Sequence, residues 1–134
     1  MTEPLVQLWL AVLLALMPRA SAGRLEPVAR AVVEAATSDG ERATLVAISL
    51  HETGLGRAGV PFGLSCCWRL GMPLADVARR ALAIVRRCPR GVAGGLGLYH
   101  HGRRCRADRY AHQEMRTRSR VLAHLAAARR RAAP

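Results

Sequence analysis

The sequence contains no lysine and no asparagine, so all twenty-one of its basic residues are arginine. An arginine-only basic set with abundant alanine is what a GC-rich coding sequence drifts toward, and that bias accounts for part of the charge. Aromatics are scarce: two Trp, two Tyr and one Phe, too few for the stacking surface of a single-strand nucleic-acid binder. Long apolar runs are also missing. The longest, Leu5 to Met17, is broken by Gln7 and stops at Pro18. It falls short of the roughly twenty residues that a bilayer-spanning helix needs. There is no C-x-x-C or H-x-x-x-H spacing, and the adjacent His100 and His101 point in different directions on any regular element. No metal and no cofactor is therefore expected.

A chain of 134 residues has room for one core. With 51% apolar and 22% charged residues and a mean hydropathy of +0.08, it has enough to bury and should fold. The formal charge is +12 and unevenly spread: residues 1–51 carry four arginines against five acids, residues 52–134 seventeen against four. The second half suits an anionic partner, whether nucleic acid, an anionic membrane surface or an acidic polymer such as the bacterial wall.

The apolar run followed by Ala20-Ser21-Ala22-Gly23 has the form of a signal-peptide h-region and its A-x-A cleavage site. Residues 1–22 thus read as a secretory leader, 23–128 as the domain and 129–134 as an arginine-rich tail that frays in solvent. Glu3 departs from this pattern, because a leader normally carries a basic residue there. An amphipathic or buried first helix is the competing reading. Export would make the protein periplasmic or secreted, where disulfides persist. Four cysteines, Cys66, Cys67, Cys88 and Cys105, allow three complete pairings. Cys88–Cys105, lying between two expected helices, is favoured, since the neighbours Cys66 and Cys67 are awkward partners for each other.

Helical periodicity dominates the rest. Val28, Ala31, Val32 and Ala35 follow i, i+3, i+4, i+7, predicting a helix that ends near Thr37. Ser38 with Glu41 three residues on is a capping-box pattern that opens a second helix, stopped by Gly54 and Gly56. Residues 54–70 read as an irregular loop or small hairpin. Pro73 opens a third helix with the stripe Leu74, Val77, Ala78, Ala81, Leu82, Val85 and Cys88. Val92 to Tyr99 reads as a weaker helix, since Gly94, Gly95 and Gly97 each cost about 1 kcal/mol relative to Ala. The last helix runs from about Tyr110 to Ala128, with Met115, Val121, Leu122 and Leu125 as contacts. The expectation is a mainly α, single-domain protein.

Chemistry centres on Glu52. It continues the stripe Leu45, Ile48, Ser49 at the end of the second helix, and burial there would disfavour the ionised carboxyl, as a proton donor requires. The competing reading is a surface acid paired with an arginine. Glu52 is followed by Thr53-Gly54, then by Gly63-Leu64, and later by Tyr99-His100-His101-Gly102. In order and spacing this resembles the soluble lytic transglycosylase domain of the lysozyme-like superfamily, in which a helix ends in Glu-Ser, a Gly-Leu-x-Gln segment follows and a Tyr-x-x-Gly turn comes later. The likeness covers roughly residues 28–125. It implies a lysozyme-like helical domain with Glu52 as catalytic acid, and with Thr53, Gly63, Leu64 and Tyr99 as substrate-binding positions. Ser65 and Cys66 replace the family's residues after Gly-Leu, and the stretch between Glu and Gly-Leu is short.

Glycosidases usually use two carboxyls, yet Asp76 suits a helix dipole, while Asp108 and Glu114 lie among arginines. The resemblance implies a one-carboxyl route: Glu52 protonates the MurNAc-GlcNAc glycosidic oxygen and then takes the proton of the muramyl 6-hydroxyl, leaving a 1,6-anhydro sugar. Of the aromatics, Phe62, Tyr99 and especially Trp68, with Arg69 and Gly71 after it, lie near these motifs and could cover sugar faces; placement of all of them in the core is the alternative. The expected partner is a peptidoglycan strand, met by a monomer. Three other readings compete: a non-catalytic glycan-binding module, hydrolysis as in goose-type lysozymes, and a basic nucleic-acid-binding domain. Against the last, the arginines scatter around the final helix instead of forming a stripe.

Overall fold

The computed structural model describes residues 2–63 and 71–134. Among them are six helices and no strand: α1 (Glu3–Leu16), α2 (Ala22–Ala35), α3 (Asp39–Thr53), α4 (Leu74–Arg86), α5 (Val92–His101) and α6 (Arg109–Ala132). The protein is mainly helical, as the periodicity predicts. Long α6 lies along α3 and α1; α1 packs on α2, α2 on α4, and α4 on α5.

Helix α3 forms the centre. Seven consecutive residues, Ala43 to Ser49, are buried, the condition of a helix enclosed on all sides. Ser38 starts it, its hydroxyl accepting the Glu41 N–H at 3.2 Å. The return bond of the capping box is displaced by one residue, because Glu41 accepts from the Thr37 N–H. Gly54 ends the helix in the left-handed conformation, φ 58°, where a side chain would be strained.

Helix α2 begins at Ala22, six residues before the expected Val28, with Ser21 as its cap and Pro27 inside it. The α4 stripe is buried as expected at Val77, Ala78, Ala81, Leu82 and Val85. Helix α5 forms despite its glycines, and packing explains them. A methyl on Gly97 would collide with the carbonyl of Arg106, and one on Gly95 with the carbonyl of Val85. The missing side chains let α5 press against α4 and the segment before α6. The Cys88–Cys105 disulfide closes the same region, as favoured from the sequence; Cys66 and Cys67 lie outside the described residues.

The segment read as a leader is α1. Val6, Trp9, Val12 and Leu13 are fully buried in the main core, the arrangement of the competing buried-helix reading. Glu3, out of place in a leader, sits in the first turn, where a helix dipole favours an acid, and meets Arg30 of α2 at 3.0 Å. At the other end the arginine tail does not fray: α6 runs through it to Ala132, with Arg129 held by Asp39 at 2.7 Å. Among the described residues no helix is long and apolar enough to cross a membrane. Gly54 to Gly63, the described part of the loop after α3, holds turns and no strand.

Candidate functional site

Glu52 sits on the last turn of α3, one turn after the buried Ile48 and Ser49. It does not stay buried as the stripe suggests: its side chain keeps 33% of its accessible surface, because the helix ends there and emerges. The chain then turns sharply, with Gly54, Leu55 and Gly56 all at positive φ. Leu55 accepts this conformation while fully enclosed in the core, 1% exposed. Thr53 ties the turn, its hydroxyl accepting the Gly56 N–H at 2.9 Å and lying 3.2 Å from the Pro61 carbonyl.

The turn returns the chain to Glu52. Gly63, at φ 73°, lies so close that a Cβ there would stand 3.3 Å from Glu52 Cγ, 3.4 Å from Glu52 Oε2 and 3.3 Å from the Tyr99 hydroxyl. Only a glycine combines that φ with that clearance. Tyr99, on α5, donates its hydroxyl to the Phe62 carbonyl. Burial, followed by the nearby carboxylates of Glu52 and Glu114, pushes its phenol above the ordinary tyrosine range, so it remains protonated and a donor. Glu52, Gly63 and Tyr99, far apart in sequence, thus share one spot. Thr53 contributes to the loop beside it. Leu64 and Trp68 lie outside the described residues.

Next to this spot is a cavity of about 320 Å³ lined by His51, Glu52, His100, Tyr110, Gln113 and Glu114. His100 Nδ1 stands 3.4 Å from Glu52 Oε1, and His100 Nε2 is hydrogen-bonded to Glu114 Oε1. That bond raises the His100 imidazole above its ordinary range; burial opposes the rise, and the charges of Glu114, Glu52 and Asp108 add to it. Glu114 is fully buried, and its Oε2 has no hydrogen-bond partner among the described residues. His51 Nε2 meets the Thr117 hydroxyl at 2.6 Å. Tyr110 stands at the rim, 62% exposed, its ring 5.9 Å from that of His100. A larger cleft of about 490 Å³, bordered by Arg24, Val28, Leu55 and Val60, has neither carboxyl nor imidazole among the described residues of its wall.

Sequence reasoning placed Glu114 among arginines. Its partner is instead His100, and its position follows the buried stripe of α6: Ala111, Glu114, Thr117, Val121, Leu125 and Ala128. That three-and-four spacing, with a carboxylate in it, was the available signal for a functional acid. Met115 and Leu122, named as contacts, are half-buried and pack against the core. Asp76 lies in the first turn of α4 as read, while Asp108, read as lying among arginines, caps α6 by accepting the Ala111 N–H at 2.7 Å. His100 and His101 do diverge, His101 turning to the Arg106 carbonyl. Of the aromatics, Phe62 is core, Tyr99 half-buried and Tyr110 exposed. Compared with protein-family models, curated proteins and solved structures, the chain gives no match.

Proposed function

We propose that the protein is a lytic transglycosylase that cleaves the MurNAc-GlcNAc bond of peptidoglycan with Glu52 as its single acid and base. The observation that carries this reading is the convergence of Glu52, Gly63 and Tyr99, one described position from each of the family's Glu-Ser, Gly-Leu and Tyr-x-x-Gly motifs that the sequence resembles. Glu52 is exposed enough to reach a substrate, and the Tyr99 hydroxyl is rigidly held beside it. Tyr110 offers an exposed ring at the cavity rim for the apolar face of a sugar.

In the first step the proton of Glu52 passes to the glycosidic oxygen, and the electron pair of the breaking C1–O bond goes to that oxygen. The muramyl 6-hydroxyl then bonds to C1 and returns its proton to Glu52, so the carboxyl ends as it began. A second carboxylate working on water would need access to it. Glu114 is sealed from solvent, Asp108 is a helix cap and Asp76 is engaged with Arg79, which favours the route through the sugar's own hydroxyl. The Cys88–Cys105 bridge suits an oxidising compartment, so we place the activity in the periplasm or outside the cell.

The test is digestion of purified peptidoglycan with mass analysis of the products. Wild type should release 1,6-anhydro fragments, and Glu52→Gln should lose at least about 100-fold of that rate, the low end for a general acid–base group. Products with reducing ends instead of anhydro ends would make the enzyme a hydrolase. Undiminished activity in Glu52→Gln would remove this residue from the chemistry.

A further inference from the structure

We propose that His100, held from behind by the buried carboxylate of Glu114, is a positioning residue that turns the Glu52 carboxyl so that Oε2 faces the substrate. The inference rests on Glu52 being the acid of the proposed glycan cleavage. The two oxygens of Glu52 have different neighbours: Oε1 faces His100 Nδ1 at 3.4 Å, while Oε2 is the oxygen closest to Gly63, beside the Tyr99 hydroxyl. An imidazole that occupies Oε1 leaves Oε2 as the oxygen that gives and takes the proton.

Glu114 is what makes the imidazole stay. A carboxylate with no exposed surface is costly unless paired, and every other buried residue on its α6 stripe is apolar or a threonine. An apolar side chain would suit that stripe better, so the acid calls for a reason, and its bond to His100 supplies one. With both ring nitrogens facing carboxyl oxygens, the ring can donate from both only when it carries two protons. The imidazolium then lies 3.4 Å from Oε1 as Glu52 gives up its proton, where a fixed positive charge stabilises the forming carboxylate. His100 keeps both protons throughout; only the Glu52 proton moves. The groups facing His100 are Glu52 and His51 on α3, Glu114 and Tyr110 on α6 with Asp108 at its cap, and Tyr99 on its own helix.

The test uses the full chain and His100→Gln, Glu114→Gln and Glu52→Gln variants. Peptidoglycan digestion gives kcat and KM across pH, and the NMR signals of labelled histidine give the His100 titration. His100→Gln should lower kcat at least about tenfold with KM unchanged, measured at a temperature where the variant is folded, since the loss of the charged partner of Glu114 should lower its melting temperature. Glu114→Gln should lower the His100 midpoint, and its kcat deficit should shrink as the pH drops below that new midpoint, whereas the His100→Gln deficit should not. Wild-type kcat in His100→Gln, or an unmoved His100 midpoint in Glu114→Gln, overturns the inference. Where Glu114→Gln does not fold, kcat of His100→Gln decides alone. The two levels separate cleanly. No cleavage by wild type, or full cleavage by Glu52→Gln, overturns the proposed function and this role with it. Cleavage that dies in Glu52→Gln but survives intact in His100→Gln overturns this role only.

Discussion

Trp9 separates a removable leader from a helix of the core, because a residue cleaved away cannot affect the stability of what remains. Its side chain is fully buried and is the largest such side chain among the described residues. Truncating a buried tryptophan to alanine costs about 3–5 kcal/mol, the lost transfer energy plus the cavity left behind. Against a total stability of about 5–15 kcal/mol that is a large share. With a urea dependence of about 2 kcal/mol per molar, Trp9→Ala should lower the unfolding midpoint by about 2 M. Trp9→Phe should be far milder. The indole N–H has no hydrogen-bond partner among the described residues, so its removal relieves a buried unpaired donor, worth about 1–3 kcal/mol, while most of the ring volume remains. The assay is urea unfolding of the purified protein followed by circular dichroism, with the N-terminal residue read by mass spectrometry. A Trp9→Ala midpoint equal to wild type would refute the packing argument. So would a protein beginning at Gly23 that unfolds at the full-length midpoint.

Two further changes probe the region that carries Tyr99 and His100. Cys88 and Cys105 are 17 residues apart, and a loop of that size stabilises by about 3 kcal/mol when cross-linked. Cys88→Ser with Cys105→Ser should lose about that much in urea unfolding, and reductant should then have no further effect through this pair. Gly97→Ala should destabilise by about 1–3 kcal/mol or more through overpacking against the Arg106 carbonyl. Gly23→Ala, with open space around it, should stabilise by roughly 0.5–1 kcal/mol through helix propensity; equal effects at the two positions would sink the packing explanation.

The helices were legible wherever one face is apolar and the ends carry their own chemistry. α4 is the clearest example: its stripe and its burial coincide from Val77 to Val85. The Ser38 cap and the Gly54 stop bound α3 in sequence and in structure alike. The errors have physical causes. The apolar pattern of α2 shows only from Val28, yet the Ser21 cap begins the helix upstream of Pro27 and tertiary packing holds Leu25 in the core. α1 was ambiguous because a leader's h-region and a core helix are the same apolar run. Glu3 is the residue that departs from the leader pattern, and its partner Arg30 lies 27 residues away. The glycines of α5 argued against a helix by propensity, which cannot register that Gly95 and Gly97 are where two backbones meet.

The site was legible to the extent that it repeats short ordered motifs. Glu52, Gly63 and Tyr99 could be named because each belongs to a pattern, and the fold brings them together. Glu114 belongs to none, and its charge made the arginines around it the obvious partners. Arg116 is exposed, however, while the helical rotation that puts Ala111 and Val121 inward carries Glu114 inward with them. Its partner then comes from another helix, and α5 can approach closely enough to offer His100 only because its glycine face lies against the chain ahead of α6. Packing, which single-sequence patterns do not encode, therefore selects the imidazole over the guanidiniums. A buried carboxylate on a stripe of otherwise apolar residues and one threonine marks a demand for a partner, and here that demand brings His100 to within 3.4 Å of Glu52.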